Sequence, residues 1–150
     1  MTTITLGRRT RAAVAALGLV YTGAVLWVTL RPLPWATAGN QETFGILDPQ
    51  AWVGSATWTQ GSALEIVANV LMFVPVGLAS GLIFSGMRGV VVPVALTVAI
   101  ELAQIPLADR VSHPRDLVAN VFGALLGLAV AAVFRRRHSA FAQEADGRAS

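Results

Sequence analysis

The chain alternates long apolar runs with short polar segments, and four of these runs are long enough to cross a bilayer. A membrane-spanning helix needs about 20 predominantly apolar residues. The runs extend over residues 12–30, 66–84, 89–106 and 117–134. Each is apolar around most of its helical circumference, and four such runs in a chain of 150 residues are typical of a membrane protein. The pattern predicts an all-α, polytopic membrane protein with four transmembrane helices.

A single long loop, residues 31–64, separates the first two predicted helices. It carries Trp35, Trp52 and Trp58, and tryptophan is enriched at membrane–water interfaces. Asp48 followed by Pro49 has the sequence of a helix N-cap and a first-turn proline, so a short helix is expected from Pro49. We expect the loop to lie on the membrane surface, with a substrate lid as the alternative.

Composition supports a membrane protein and excludes several other classes. The chain is 55% hydrophobic and 13% charged, against about 25% charged residues in soluble domains. It has no cysteine, and its two histidines, His113 and His138, lie far apart in the sequence. No metal motif, phosphate-binding loop or cofactor fingerprint is present, so neither a metal nor a cofactor is expected. The pI near 11 reflects arginines at predicted helix ends, so nucleic-acid binding is not expected.

The arginines also predict the orientation of the helices. If the N-terminus is cytoplasmic, eight arginines fall on the inner side and three, Arg31, Arg110 and Arg115, on the outer side. This bias predicts that both termini are cytoplasmic and that the long loop is extracytoplasmic. We expect residues 1–136 to form one transmembrane domain, and residues 137–150 to form a polar, disordered cytoplasmic tail.

The first apolar run has an alternative interpretation as a signal peptide. Arginines precede it, and Ala36–Ala38 resembles a cleavage site. However, the run is longer than the usual apolar region of about 7–15 residues in signal peptides. We therefore interpret it as an anchor that packs against the other helices and adds nothing to a polar site.

Polar residues occur near the outer ends of the other three predicted helices. Asn69, Glu101 and Asn120 come from three different helices and lie at similar depth. Gln104 and Asp116 lie one helical turn from Glu101 and Asn120 respectively, on the same faces. Because ionisable groups inside membrane helices are costly, they suggest a functional site.

The chemistry of these side chains suits an anionic ligand. Arginine binds phosphate or carboxylate through paired hydrogen bonds, and a partly buried glutamate can act as general acid or base. The predicted ligand-binding residues are Asn69, Glu101, Gln104, Arg110, Asp116 and Asn120. The best catalytic candidates among them are Glu101, Asp116 and Arg110.

Two alternatives remain open at this site. Glu101 can simply pair with Arg110 or Arg115, and the amides can form interhelical hydrogen bonds. No nucleophile stands in a convincing setting, because sequence neighbours such as Ser112 and His113 rarely have the geometry of a nucleophile and its base. Whether any reaction is catalysed therefore stays open.

Two GxxxG motifs follow deeper in the helices, Gly77/Gly81 in the second and Gly123/Gly127 in the fourth. Glycines at this spacing let two helix backbones approach closely. The motifs suit either packing within the chain or docking of a partner helix.

Several of these residues together resemble the VanZ-like family. The resemblance rests on Asn69 to Gly77, on Glu101 and Gln104, on Arg110, and on Asp116 to Gly123, in this order. The family comprises bacterial membrane proteins related to an accessory protein of glycopeptide resistance that lowers teicoplanin susceptibility. The resemblance implies a protein of the bacterial cytoplasmic membrane with a general role in the cell envelope. The outer polar residues and arginines favour a protein that binds or processes an anionic envelope lipid or a glycopeptide at the outer leaflet. The alternatives are a non-catalytic partner subunit and a small-molecule or proton carrier.

Overall fold

The structure is a computed structural model that describes residues 7–31, 44–59, 62–107 and 110–147, with side chains as far as Arg137. The described residues form helices and turns, without a strand. A 3₁₀ turn, Gly45–Leu47, precedes the second helix. The helices are α1 (Arg8–Leu30), α2 (Pro49–Val53), α3 (Ser55–Thr59), α4 (Ala63–Ile83), α5 (Met87–Gln104) and α6 (Pro114–Gly147).

Four of these helices are long and apolar enough to cross a membrane: α1, α4, α5 and α6 as far as Arg137. The predicted all-α fold with four transmembrane helices is therefore confirmed. Three of them, α1, α4 and α6, start three or four residues before the predicted apolar runs, because each first turn contains at least one charged residue. Much of the long loop, including Trp35, lies outside the described residues, as does Asp109.

The helix start predicted at Pro49 is seen with its capping group. The side chain of Asp48 accepts a hydrogen bond from the Gln50 N–H at 2.9 Å and caps α2. Pro114 begins α6, where a proline costs no intrahelical hydrogen bond. The backbone of α6 continues as a helix to Gly147, beyond the predicted domain boundary at residue 136. The division into a domain and a disordered tail stays a prediction.

Parallel packing of α4 and α6 forms the tightest helix interface. A Cβ atom added to Gly77 would collide with the carbonyl of Ala124, and one added to Gly123 would collide with the carbonyl of Val70. A Cβ atom on Gly81 would lie 2.7 Å from the Cβ of Ala131. The two GxxxG motifs therefore pack against each other's helices within one chain.

Hydrogen bonds between helix ends show how the other helices alternate in direction. At one end, Arg11 near the start of α1 donates to the carbonyl of Ile83 at the end of α4, at 2.8 Å. At the other end, Gln104 at the end of α5 donates to the carbonyl of Thr29 near the end of α1, at 3.1 Å. We call this second end, which also carries residues 44–59 and 110–116, the loop end. Between the two ends lies an apolar core formed by Val25, Phe73, Val76, Ile100 and Ala124.

Candidate functional site

Glu101 is the most deeply buried charged group of the loop end, with 1% of its surface exposed. Its Oε2 accepts a hydrogen bond from the backbone N–H of His113 at 2.9 Å, and the side chain of Ser112 lies beside the same carboxylate. A carboxylate removed from water requires such donors. His113 immediately precedes α6, so the carboxylate lies at the positive end of the α6 dipole. This contact fixes the end of α5 against the start of α6.

Ser112 also connects Glu101 to the long loop. The Ile46 N–H donates to the Ser112 hydroxyl oxygen at 3.3 Å. Gly45, which has a φ of +51°, is buried directly against Ser112. The 3₁₀ turn is therefore docked on the segment that contacts Glu101, which the sequence did not predict.

Two tryptophans complete the docked part of the loop. Trp52 donates its indole N–H to the Ile46 carbonyl at 2.9 Å, and Trp58 donates to the Trp52 carbonyl at 3.1 Å. Both rings remain partly exposed at the bundle end. This geometry is the one expected of interfacial tryptophans, with the polar atom bonded and the ring outward.

Arg115 joins the N-terminal ends of α4 and α6. Its Nη2 lies 3.2 Å from Oε2 of Glu65, and its Nε lies 3.6 Å from Oδ1 of Asp116. Glu65 also accepts from the N–H of Ser62 at 3.3 Å and completes a capping box at the start of α4. The capping sequence from Ser62 to Glu65 was a readable signal for this helix start. Arg115 is therefore a member of the site, although the sequence ranked it below Arg110.

Gln104 and Arg110 lie at the loop end but are directed to α1. Arg110 donates to the Arg31 carbonyl from Nε at 3.1 Å, and its Nη2 donates to the carbonyls of Arg31 and Val28, each at 2.7 Å. Val28 belongs to the last turn of α1 and Arg31 is the residue that caps its C-terminal end, where carbonyls lack intrahelical partners and favour cations. The prediction that α1 adds nothing to the polar site is therefore wrong.

The alternative of an ion pair between Glu101 and an arginine is not what the structure shows. In the described part of the chain, the hydrogen bond to the carboxylate comes from His113, while Arg110 turns to α1 and Arg115 to Glu65 and Asp116. The predicted residues thus divide into two groups. Glu101 and Asp116 lie close enough to interact electrostatically, whereas Gln104 and Arg110 stabilise the end of α1.

The side chains of the two predicted asparagines form no hydrogen bond with any residue that the structure describes. Asn120 is buried on α6, and its Oδ1 lacks a partner. Asn69 is half-buried on α4, one turn from the buried Phe73 on the same face. Thr97, which the sequence analysis missed, is also buried without a partner for its Oγ1, one turn below Glu101 on α5.

Arg31 is a second group that the sequence analysis did not assign to the site. Its guanidinium carbon lies 4.8 Å from the ring centroid of Trp27, which is 63% exposed on α1. The Nε atom of Arg31 is buried and has no hydrogen-bond acceptor in the part of the chain that the structure describes. A guanidinium stacked on an outward-facing tryptophan, with a donor still unused, can receive an anionic oxygen.

The described residues include no group of three or more His, Cys, Asp or Glu side chains that could hold a metal ion. The arrangement has two chemical parts. An inner part between α5 and α6 contains carboxylates and unpaired oxygens, and an outer part around the end of α1 contains guanidinium groups.

The fold and the site together define a small polytopic membrane protein with a polar cluster at one end of a four-helix bundle. The family model described as VanZ/LLP1 matches residues 18–135, from α1 to the end of the apolar part of α6. The chain therefore belongs to the VanZ/LLP1 family, which confirms the resemblance drawn from its motifs. No curated protein and no solved structure matches the chain significantly.

Proposed function

We propose that this member of the VanZ/LLP1 family binds the anionic group of an envelope lipid or glycopeptide at its loop end. Membership of the family and the four membrane helices support a membrane protein. In the proposed orientation both termini are cytoplasmic and the loop end faces outward from the bacterial cytoplasmic membrane, as the arginine distribution favours. The ligand would then be a component of the outer leaflet or of the cell envelope.

The observation that carries this proposal is the position of Arg31. It lies at the end of α1, its guanidinium covers an exposed tryptophan, and its buried Nε has no acceptor among the described residues. A buried donor without a partner costs free energy that a ligand oxygen would recover. Phosphate and carboxylate groups are the ligands that a guanidinium binds best.

Arg110 supports the proposal indirectly. Its hydrogen bonds hold the Arg31 carbonyl, so the two arginines are fixed next to each other at the same helix end. This placement concentrates positive charge where α1 meets the membrane surface. Anionic lipid headgroups are attracted to basic clusters of this kind.

Of the two alternative functions, the first is a non-catalytic partner subunit, and the helix interface proposed for it is already occupied within the chain. The glycines that were expected to receive a partner helix are covered by α4 and α6 themselves. A carrier would require polar groups along a path through both halves of the bundle. The polar side chains from Glu101 to Asn120 instead concentrate at the loop end, which disfavours a carrier.

The proposal is tested by retention of phosphatidylglycerol in native mass spectrometry of the purified chain. Arg31→Gln should reduce lipid retention at least several-fold, because it removes the charge from the stacked group. Arg88→Gln is the matched control, since Arg88 is an exposed arginine at the start of α5, at the opposite end of the bundle. Equal retention by wild type and Arg31→Gln would refute the assignment of Arg31.

A second measurement addresses the glycopeptide. The chain is expressed in a susceptible host, and the teicoplanin concentration that inhibits growth is compared for wild type, Arg31→Gln and Arg88→Gln at equal membrane levels. Reduced susceptibility that depends on Arg31 would support a glycopeptide-related role. Lipid retention without any change in susceptibility would limit the function to lipid binding.

A further inference from the structure

Three side-chain oxygens on α5 and α6 are buried without a hydrogen-bond partner among the residues that the structure describes. They are Oγ1 of Thr97, Oδ1 of Asn120 and Oδ1 of Asp116. Thr97 is 0% exposed and Asn120 is 2% exposed. Buried polar atoms without partners are rare in native proteins, and each one calls for a ligand, a water molecule or an ion.

The positions of these residues place their side chains beneath the Glu101 carboxylate. Thr97 lies four residues before Glu101 on the buried face of α5, and Asn120 lies four residues after Asp116 on α6. Four residues of α-helix correspond to about 6 Å along the axis. The hydrogen bond from His113 to Glu101 fixes the register of these two antiparallel helices. At about 1.5 Å per residue, Asp116 lies about 4.5 Å, Thr97 about 6 Å and Asn120 about 10 Å below this contact, so Thr97 falls between the levels of Asp116 and Asn120.

The charge balance around these oxygens is negative. Glu65, Glu101 and Asp116 provide three carboxylates among the described groups at this corner. The guanidinium of Arg115 lies between Glu65 and Asp116, at 3.2 Å and 3.6 Å respectively, while Arg110 bonds to α1. The side chain of Glu65 is 62% exposed, so the buried part of this corner contains two carboxylates, Glu101 and Asp116, and the guanidinium of Arg115. A buried excess of negative charge is unfavourable unless a cation compensates it.

We propose that Thr97, Asn120 and Asp116 form a binding site for a small monovalent cation, either a metal ion such as Na⁺ or an ammonium group. The three atoms are a hydroxyl, an amide carbonyl and one carboxylate oxygen, a donor set that suits a hard cation of low charge. Asp116 forms the entrance, because a quarter of its side chain is exposed whereas Thr97 and Asn120 are buried. The ammonium group can be free or carried by a phosphatidylethanolamine headgroup.

The site is tested on the purified full-length chain by thermal unfolding at equal ionic strength in three chloride salts. These are the sodium, ammonium and N-methyl-D-glucamine salts, of which the last cation is too large for an interior site. Sodium or ammonium should raise the Tm by about 3 °C or more relative to N-methyl-D-glucamine.

The decisive variant is Thr97→Val, which keeps the branched shape of the side chain and replaces the unpaired hydroxyl with a methyl group. It should fold as well as wild type and should lose most of the cation-dependent shift in Tm. Thr29→Val is the matched control, because the buried hydroxyl of Thr29 bonds to the Val25 carbonyl at 2.9 Å on α1. This control should keep the full cation-dependent shift.

The source of the cation is distinguished by the lipid. The same Tm measurements are made in nanodiscs of phosphatidylglycerol with either phosphatidylethanolamine or phosphatidylcholine. A shift with free sodium or ammonium ions in both lipids identifies a site for a free cation. A stabilisation that appears only with phosphatidylethanolamine, and that Thr97→Val removes, identifies the headgroup ammonium.

Two results would overturn the proposal. In the first, the wild-type chain has the same Tm in all three salts and in both lipids, and Thr97→Val has a higher Tm under every condition. This result is expected for a site that holds only water. The other is an unchanged cation-dependent shift in Thr97→Val. The outcome is independent of the proposed anion site, because Arg31→Gln should reduce phosphatidylglycerol retention without altering the effect of the cation.

Discussion

Gly45 and Ser112 are in direct contact, so closely that a Cβ atom on Gly45 would lie 2.5 Å from the Cβ of Ser112. The φ of Gly45 is +51°, a backbone conformation that favours glycine. Ser112 in turn lies beside the buried carboxylate of Glu101. The loop before α4 is therefore connected to the polar cluster by one glycine contact and one serine hydroxyl.

Replacing this glycine should release the loop from the bundle. Gly45→Ala introduces both a steric clash with Ser112 and an unfavourable φ, at an expected cost of roughly 1–3 kcal/mol. The measurement is thermal unfolding, together with the fluorescence of Trp52 and Trp58, which should shift as the loop separates. Gly23→Ala is the control, because a Cβ atom there meets nothing within 4 Å and alanine favours a helix by up to about 1 kcal/mol. An unchanged Tm and spectrum for Gly45→Ala would contradict the role given to this contact.

The four membrane helices were predictable because their signal is local. An apolar run longer than the bilayer thickness identifies a membrane helix without knowledge of its neighbours. The first turns of α1, α4 and α6 were missed because charged residues within them end the apolar run although they are helical. Capping signals, such as Ser62 with Glu65, recover the start of α4.

The polar cluster was only partly predictable because its partners depend on helix packing. Sequence depth brought Glu101 to the level of Asn69 and Asn120, whereas in the structure Glu101 lies close enough to Asp116 for an electrostatic interaction. Depth alone did not show that Gln104 and Arg110 lie against α1 rather than face Glu101. The unpaired oxygen of Thr97 is equally invisible in sequence, because most threonines in membrane helices bond to their own backbone.

Arg110 should matter for stability through its hydrogen bonds to α1. It donates to the carbonyls of Val28 and Arg31, and Arg31 lies 79 residues before it in the sequence. Arg110→Ala should lower the free energy of unfolding by roughly 1–3 kcal/mol, and Arg110→Lys should recover only part, since an ammonium cannot match the forked geometry. The measurement is thermal unfolding in detergent. Arg88→Ala, at an exposed position, should change stability by no more than about 0.5 kcal/mol. An equal loss of stability in Arg110→Ala and Arg88→Ala would argue against stabilisation of the end of α1 by Arg110.

Glu101 should tolerate an amide better than an apolar side chain. The oxygen of glutamine can still accept the His113 N–H, whereas leucine leaves that buried donor unpaired. We expect Glu101→Gln to keep the fold with a Tm close to wild type, and Glu101→Leu to lose several degrees. If the charge of the carboxylate also contributes to ligand binding, Glu101→Gln should lose ligand binding although its amount in the membrane is normal. Full activity of both Glu101→Gln and Glu101→Leu would show that Glu101 has no functional role.

Enlarging the buried glycines separates internal packing from partner binding. Gly123→Val places its side chain against the backbone of Val70, so α4 and α6 must move apart, at an expected cost of about 3 kcal/mol. The variant should lower the Tm of the purified chain even when no other protein is present, because the contact lies within the chain. Gly23→Val, at an open position of α1, serves as the size-matched control and should cost less than about 1 kcal/mol. If Gly123 were instead reserved for a partner helix, the purified variant would unfold like wild type and only co-purification of the partner would be lost.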